Sequence, residues 1–280
     1  MKNKDLSNEN VIHKTKDGID YLQFRKLLEY SEIKHMYILK NGNMNFALED
    51  NKQKLIDNYK RVCELEKMNY KNVVKPYQTH TDEVKCIDNK VLQDEPDMYI
   101  EELKDTDGLI TNKKGIILST TNADCILLIM YDTKNRIIAN IHSGWKGTFQ
   151  KIAYKAVKKM QQKYGTNPKD IICCMSPSIA MCCFEVEEDV KNLCEEKFTY
   201  TGRINEIIKD SGYKNGVKKY HIDTILINRI MLEEVGLLKE NIISANICSV
   251  CNCEQVHSRR AEGEGYKVST MLIEINNEYP

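Results

Sequence analysis

The sequence predicts an α/β fold: a single domain in which mixed β-sheets are layered by helices. Short apolar runs of strand length occur in pairs along the chain, and segments with helical spacing of apolar residues lie between them. No repeat and no linker rich in Pro, Gly or Ser divides the 280 residues, which are enough to bury a large core. This irregular order favours mixed sheets over a regular βαβ array.

The elements follow from these patterns in chain order. Residues 1–30 are polar and weakly patterned, so they are set apart as a poorly defined N-terminal segment, and the domain is assigned to residues 31–280. Apolar runs predict strands at Ile33–Leu39, Val73–Pro76, Gly108–Ile110, Gly115–Thr120, Ile126–Tyr131, Arg136–Ile141, Ile171–Met175 and Met271–Ile275, with another after Asp82. Helical spacing predicts helices at Leu55–Met68, Thr148–Tyr164, Glu187–Phe198 and Ile222–Val235, and the acidic segment Glu95–Asp105 predicts a surface loop.

Charge and composition limit the classes of partner. The 41 Lys+Arg and 41 Asp+Glu cancel, so we expect no nucleic acid and no anionic membrane as a partner. No run approaches the roughly 18 apolar residues of a membrane span, and the first residues are polar rather than a signal peptide. These features favour a cytoplasmic protein that acts on a small neutral or metal-neutralised substrate.

The two apolar runs around Asp132–Asn135 predict an antiparallel hairpin with chemistry at its open end. A symmetric turn at these four residues would place Cys125 directly opposite His142 on one face. Their Cβ atoms would then be roughly 5 Å apart, a separation that suits two ligands of one ion. His80, in a loop between two short strands, is the candidate for a third ligand. Each of these residues also fits a purely structural role, as a buried thiol or a satisfied histidine.

Five segments form an ordered set of motifs: Gln78–His80, Asp107–Thr111, Ala123–Cys125, Ile141–Gly147 and Cys182–Val186. In order and spacing they resemble the motifs of the family long called laccase-domain or multicopper polyphenol oxidase proteins, and the resemblance runs from about Lys34 to Ile275. That family is understood as zinc-dependent purine nucleoside phosphorylases with additional adenosine deaminase activity. The resemblance therefore implies a zinc ion held by His80, Cys125 and His142. It also implies purine nucleosides (adenosine, inosine and methylthioadenosine) and phosphate as substrates.

The resemblance also implies roles around the metal. Cys125 and His80 would act in catalysis, and Asp124 would be a proton shuttle or an orienting group, with a structural cap as the alternative. Arg260 is expected to hold phosphate, because a guanidinium fork matches an oxyanion. Trp145 would stack on the purine or cap the core, and Lys146 would bind an anion or lie in solvent. The family's later C-terminal arginine is missing here, where the chain has Glu264-Gly265-Tyr266.

Other chemistries remain to be separated from this one. Multicopper oxidases need many histidines, largely in His-X-His pairs, whereas this chain has six histidines and no such pair. Zinc nucleobase deaminases carry His-X-Glu and Pro-Cys-X-X-Cys, and neither occurs. A cysteine hydrolase that uses Cys125 and His142 stays open, since the same geometry serves a thiolate nucleophile. A non-catalytic zinc-binding or redox adaptor also stays open, and metal content and activity on adenosine would distinguish them.

The remaining cysteines are predicted to be thiols without a metal. Cys248, Cys251 and Cys253, followed by His257, resemble a structural zinc site, but a lone cluster without a second CXXC favours buried or loop thiols. The doublets Cys173-Cys174 and Cys182-Cys183 are expected in the core, because adjacent residues of a strand point to opposite faces and do not chelate together.

Overall fold

Strands and helices alternate irregularly in the computed structural model, which describes residues 4–42, 44, 52–88 and 100–276. The strands are β1 (Val11–Lys16), β2 (Ile19–Phe24), β3 (Ile33–Ile38), β4 (Val73–Val74), β5 (Val84–Cys86), β6 (Gly108–Thr111), β7 (Ile117–Asn122), β8 (Ile126–Asp132), β9 (Ile137–Ser143), β10 (Ile171–Met175), β11 (Glu185–Val186), β12 (Ile208–Lys214), β13 (Val217–Ile222), β14 (Ile242–Ser244) and β15 (Ser269–Ile275). The α-helices are α1 (Lys52–Leu65), α2 (Trp145–Phe149), α3 (Ile152–Tyr164), α4 (Glu188–Phe198), α5 (Ile204–Ile207), α6 (Thr224–Glu234) and α7 (Arg259–Glu262). Part of the predicted acidic loop, residues 95–99, lies outside the described residues.

Two mixed six-stranded sheets form the centre of the fold. The first has the order β1-β2-β3-β15-β7-β4 and the second β14-β10-β8-β9-β6-β5. Neighbours are antiparallel except β4 with β7, β14 with β10, and β5 with β6. A three-stranded sheet, β11-β13-β12, completes the described part of the molecule. The predicted α/β single domain with mixed sheets and helices is confirmed.

Alternate residues of the central strands pack into different cores. In β8, Leu127 and Ile129 join the core between the two large sheets, whereas Leu128 and Met130 pack with residues of α3 and α6. The first sheet has a third core, on its far side, against α1. The layers therefore run helix, sheet, sheet, helix, and strands buried on both faces need apolar residues at consecutive positions.

A buried asparagine connects the two large sheets. Asn140 of β9 donates from Nδ2 to the carbonyl oxygens of Leu118 in β7 (3.0 Å) and Met271 in β15 (2.9 Å). Its Oδ1 accepts from the Thr120 hydroxyl at 2.5 Å. These bonds satisfy a polar group that is completely buried between apolar layers, and they fix one sheet relative to the other.

Residues 11–24, part of the N-terminal segment that lacks a clear sequence pattern, form two strands of the first sheet. β1 and β2 form a hairpin, and β2 pairs with β3 through Tyr21 and Ile38. Leu22 and Phe24 point into the core between the sheets, while Tyr21 points into the core under α1. Because β2 is buried on both faces, it lacks the polar–apolar alternation that identifies a half-buried strand.

The hairpin that carries the candidate ligands has a register different from the predicted one. Asp132 stays in β8 opposite Ile137, so the loop is residues 133–136 and Leu127, not Cys125, lies opposite His142. Asp132 Oδ1 accepts the backbone N–H groups of Lys134 and Asn135, and φ at the last loop residue, Arg136, is 54°. The shift is two residues, so Cys125 and His142 remain on the same face.

Other differences have local causes. The predicted helix Thr148–Tyr164 is two helices, α2 and α3, because Lys151 between them adopts a left-handed conformation with φ of 64°. The helix predicted from Ile222 begins at Thr224, because Ile222 ends β13 and Asp223 caps α6 by accepting the Leu226 N–H. The β12–β13 hairpin and β14 were not predicted.

The cysteine doublets do not share one environment. Cys173 and Cys174 are fully buried in β10, as predicted. The core position expected for Cys182 and Cys183 is wrong, because they lie in a surface turn where Cys182 is exposed and Cys183 is partly exposed.

The helices are short. The longest in the described part of the chain, α1, has 14 residues, whereas a bilayer span needs about 20. No helix among the described residues combines the length and the apolar character that crossing a membrane requires.

Candidate metal centre and substrate cleft

The candidate ligands meet at one edge of the second large sheet. β8 begins and β9 ends there, since the two are antiparallel, and β5 and β6 begin at the same edge. Cys125 comes directly before β8, and His142 is the second-to-last residue of β9. His80 lies in the loop that leads to β5. Three chain segments thus deliver one side chain each to the same place.

His80, Cys125 and His142 form a compact donor group. One donor atom from each lies within 4.8 Å of the others, and Cys125 Sγ is 3.7 Å from His80 Nε2. The two imidazole rings are edge to face, with centroids 4.9 Å apart. Two imidazoles and a thiolate are a suitable ligand set for zinc, which binds three protein ligands in a catalytic site and leaves the fourth position open.

A buried carboxylate orients His142. Its Nδ1 donates to Asp107 Oδ1 at 2.6 Å, and the His142 backbone N–H donates to the Asp107 carbonyl at 2.6 Å. The bond from Nδ1 to Asp107 fixes the tautomer of His142, whose Nε2 then faces Cys125. Metal-binding histidines commonly have such a carboxylate behind them.

The same carboxylate holds the loop that carries His80. Asp107 accepts the backbone N–H groups of Thr79 (3.2 Å), His80 (3.1 Å) and Thr81 (2.7 Å), and the Thr81 hydroxyl at 2.8 Å. His80 itself has a φ of 65°, a left-handed conformation that is uncommon for non-glycine residues. Asp107, fully buried, therefore positions both histidines, and the sequence reasoning did not assign it to the site.

Gly144 makes room for the donor group. A Cβ on this residue would lie 2.6 Å from His80 Cδ2, which is closer than real Cβ contacts allow, and 3.2 Å from Cys125 Sγ, which is tight. Its φ is −66°, so the backbone does not itself require glycine. The requirement comes from the approach of His80 and Cys125.

The three groups adjust one another's charge. Burial raises the pKa of the Cys125 thiol, but the charge of His142 and hydrogen bonds from His142 and His80 outweigh it and lower the pKa to about 6. Burial lowers the pKa of His142, whereas the Cys125 charge and the bond to Asp107 raise it to about 9. Without a metal, the centre is thus a thiolate–imidazolium pair near neutral pH. A cation would replace the imidazolium proton.

The donor group opens into a cleft of about 710 Å³. All the predicted site residues line it. Besides the two histidines, its lining contains the cations Lys146, Arg259 and Arg260 and the aromatic rings of Trp145, Phe184 and Tyr266. Arg259, Phe184 and Tyr266 were not predicted, because nothing in their local sequence shows that their loops fold over the hairpin end.

Arg260 is held in place at the wall of the cleft. Its guanidinium donates from Nη1 to the Cys183 carbonyl and from Nη2 to the Glu185 carbonyl, both at 3.1 Å, and lies 5.9 Å from the Phe184 ring centre. A guanidinium carries more N–H donors than these two bonds use. The side chain is therefore oriented and retains donors for an anion.

Asp124 connects the hairpin end to this wall. Its Oδ1 accepts the Ser249 hydroxyl at 2.6 Å, and its Oδ2 accepts the Arg260 backbone N–H at 2.7 Å. Its backbone has a φ of 85°, and its carbonyl accepts the Ile179 N–H. Because both carboxylate oxygens already accept bonds from the protein, the contacts favour the structural role for Asp124 over the proton shuttle.

Trp145 and Lys146 also line the cleft. The Trp145 ring is partly buried against Phe149, with centroids 5.4 Å apart, and the exposed Lys146 Nζ lies 5.7 Å from the indole centre. Both roles considered for Trp145 are therefore compatible with its position: one part of the ring packs on the core and another faces the cleft.

Known proteins share this fold. A structure titled hypothetical protein YfiH from Bacillus licheniformis superposes with a TM-score of 0.81 at 23% identity, covering 91% of this chain and 96% of that one. YlmD from Geobacillus stearothermophilus also gives a TM-score of 0.81, at 19% identity over 95% of this chain and 99% of that one. At these identities the likeness establishes the fold.

Curated relatives cover most of the chain and carry enzyme names. A purine nucleoside phosphorylase of Bacteroides thetaiotaomicron is 29% identical over 252 residues, which is 86% of this chain and 91% of the relative. A protein named adenosine deaminase RL5, from an unknown prokaryotic organism, is 31% identical over 192 residues, 69% of this chain and 71% of the relative. The model of the family described as multi-copper polyphenol oxidoreductase laccase matches residues 32–274. The resemblance found in the motifs is thereby confirmed, and the chain belongs to this family.

Proposed function

We propose that this chain is a purine nucleoside phosphorylase that cleaves adenosine, inosine and methylthioadenosine with phosphate, and that it also deaminates adenosine with zinc. The observation that carries the proposal is the convergence of His80, Cys125 and His142 at the end of a cleft lined by cationic and aromatic side chains. The names of the relatives support both activities.

The donor group fits zinc. Its atoms are close enough to share one ion, Asp107 fixes the His142 tautomer, and the acidified Cys125 thiol is a thiolate near neutral pH. Zinc at this position would act as a Lewis acid that activates water for attack on purine C6, with release of ammonia. Cys125, His80 and His142 would hold the ion, and Asp124 shapes the adjacent wall through its bonds to Ser249 and Arg260.

Phosphorolysis requires an oriented anion rather than water. Phosphate attacks the ribose C1′ as the glycosidic bond breaks, and the products are the free base and ribose 1-phosphate. We assign phosphate to Arg260, whose guanidinium is oriented by the Cys183 and Glu185 carbonyls. Lys146 and Arg259 add positive charge in the same cleft. The purine ring is assigned to Trp145, which faces the cleft.

A substitution series tests the proposal. Changing Cys125, His80 or His142 to Ala is expected to suppress both reactions, because each removes a metal ligand. Arg260→Ala should lower phosphorolysis about tenfold to hundredfold, a barrier change of about 1.4–2.7 kcal/mol, and lower deamination less. Deamination in the same sample is the internal control for folding. Arg203→Ala, which removes an arginine paired with Glu206 at 2.8 Å, is the matched control and should change neither rate. Equal losses of both reactions in Arg260→Ala would contradict the assignment.

A cysteine hydrolase is the second candidate, and one observation favours it. Burial opposes ionisation of Cys125, yet His142 and His80 lower its pKa to about 6, which would also activate a sulfur nucleophile. The two functions differ in metal dependence. Zinc removal by a chelator, with recovery on adding zinc back, supports the metal centre, whereas full activity in the metal-free protein supports the hydrolase.

A further inference from the structure

Four cysteines outside the cleft converge at the surface. Cys182 and Cys183 lie in the turn before β11, and Cys248 and Cys251 lie in the loop after β14. The four Sγ atoms all lie within 4.8 Å of one another. Cys251 Sγ is 3.8 Å from Cys182 Sγ and 3.5 Å from Cys183 Sγ. Segments more than sixty positions apart thus bring four sulfur atoms to one point.

Local backbone geometry explains the convergence. The N–H groups of Cys183 and Phe184 both donate to the Ala180 carbonyl, at 2.9 and 3.0 Å, so residues 180–184 form a tight turn rather than a strand. In a turn, adjacent side chains need not point to opposite faces, which is why Cys182 and Cys183 can meet. Cys248 and Cys251 have the C-X2-C spacing of zinc ligands, with Asn252 N–H bonded to the Cys248 carbonyl at 3.1 Å.

We propose that Cys182, Cys183, Cys248 and Cys251 bind a second zinc ion, in a structural site separate from the centre in the cleft. Four thiolates close the coordination shell of zinc, and soft sulfur ligands in tetrahedral order select zinc or iron–sulfur chemistry over harder metals. A single ion matches the one point at which the four sulfur atoms meet. Backbone N–H groups of Ala180, Val250 and Cys251 lie within interaction range of the Cys248 sulfur and would offset part of the negative charge of the ligands.

The ion would hold the wall of the cleft. Cys183, a proposed ligand, also supplies a carbonyl to the Arg260 guanidinium, and Ser249, between the ligands of the other loop, donates its hydroxyl to Asp124. Backbone hydrogen bonds already join the two segments, from the Ser178 N–H to the Ile247 carbonyl at 3.2 Å and from the Ser249 N–H to the Ser178 carbonyl at 2.9 Å. Cys182 and Cys251 themselves are exposed, and a metal crosslink would add a second connection at these cysteines. His257 and Cys253, which the sequence grouped with Cys248 and Cys251, are not members of the sulfur group in the described structure.

Metal content of the full chain tests the site. We expect the wild-type chain to contain about two zinc ions and the Cys125→Ala variant about one, because only the centre in the cleft is lost. Cobalt loaded into Cys125→Ala should show the sulfur-to-cobalt charge-transfer absorption and strong visible bands of a tetrahedral thiolate site. This spectrum needs no change in the cluster itself, so it remains informative if cluster variants fail to fold.

Single substitutions assign the ligands. Cys251→Ser should lose the second zinc and the cobalt bands, whereas Cys253→Ser, two residues away and outside the group, should keep both. An iron–sulfur chromophore in place of zinc would overturn the assignment. So would a metal-free Cys125→Ala protein with the four sulfur atoms as free thiols. A disulfide between two of these cysteines in protein purified without reductant, seen as the loss of two hydrogens by mass spectrometry, would also overturn it.

Discussion

Replacing Asp107 by Asn tests whether one buried carboxylate positions both histidines of the centre. Asp107 accepts bonds from His142 Nδ1 and from the backbone N–H groups of Thr79, His80 and Thr81. An asparagine has nearly the same shape but only one acceptor oxygen. If that oxygen takes the Oδ1 place, its NH₂ group faces the N–H groups of Thr79 and Thr81. If it takes the Oδ2 place, the NH₂ group faces His80 N–H and His142 Nδ1.

The magnitude follows from these contacts. In either orientation two N–H donors lose their charged acceptor, and a bond of this kind contributes about 1.5–3 kcal/mol. We therefore expect the free energy of unfolding of Asp107→Asn to fall by about 3 kcal/mol or more. Loss of an outer carboxylate typically weakens metal binding about 10–100-fold, because the histidine loses its fixed orientation and part of its basicity.

The assay is a competition for zinc between the protein and a chromogenic chelator, with thermal unfolding measured on the same samples. Asp105→Asn is the matched control. Asp105 is exposed and accepts a hydrogen bond at 2.8 Å from the hydroxyl of Thr79, the residue before His80. Its substitution is expected to leave the zinc affinity unchanged. Zinc affinity in Asp107→Asn equal to that of the wild type would refute the reasoning. Equal losses in both variants would show that the loop, and not the carboxylate behind His142, determines binding.

Two further outcomes follow from the geometry of the centre. Gly144→Ala should weaken zinc binding by about tenfold or more, because the added Cβ would lie 2.6 Å from His80 Cδ2. The melting temperature should change only slightly, because the backbone angles of this residue suit alanine. Chelator competition measures the zinc affinity, and an unchanged affinity would contradict this prediction. In the metal-free protein, the alkylation rate of Cys125 should rise with a midpoint near pH 6 rather than near the ordinary thiol pKa of 9.0, because His142 and His80 outweigh burial and favour the thiolate. Peptide mapping by mass spectrometry identifies the modified cysteine. A midpoint near pH 9 would contradict the ion pair. Both pKa shifts contribute to the free energy of unfolding of the metal-free protein. The contribution from the lowered Cys125 pKa is lost as pH falls through about 6, and the contribution from the raised His142 pKa is lost as pH rises through about 9.

The fold was predictable where local pattern and burial agree. Strands such as Ile171–Met175 carry an uninterrupted apolar run, and the structure has a strand with the same bounds. β2 failed the same test, because the buried polar residues Asp20 and Gln23 interrupt its apolar run. The break between α2 and α3 depends on the left-handed Lys151, for which the sequence has no glycine as a signal.

The candidate site was predictable from residue type and spacing more than from register. Cys125 and His142 meet although the predicted pairing was wrong, because a two-residue shift preserves the face. Asp107 was missed as a site residue, although an aspartate directly before a strand that enters the same sheet edge was a usable signal. Arg259 and Tyr266 reach the cleft through tertiary folding of the C-terminal loop, which local sequence does not encode.

The most direct test of the central claim is the set of products formed from adenosine by the zinc-loaded chain, with and without phosphate. With phosphate, we expect adenine and ribose 1-phosphate in equal amounts, together with inosine from deamination. Without phosphate, adenine release should stop while inosine still forms, because attack on C1′ needs the oxyanion and attack on C6 needs only activated water. Adenine released at the same rate without phosphate would contradict the account and identify a nucleoside hydrolase.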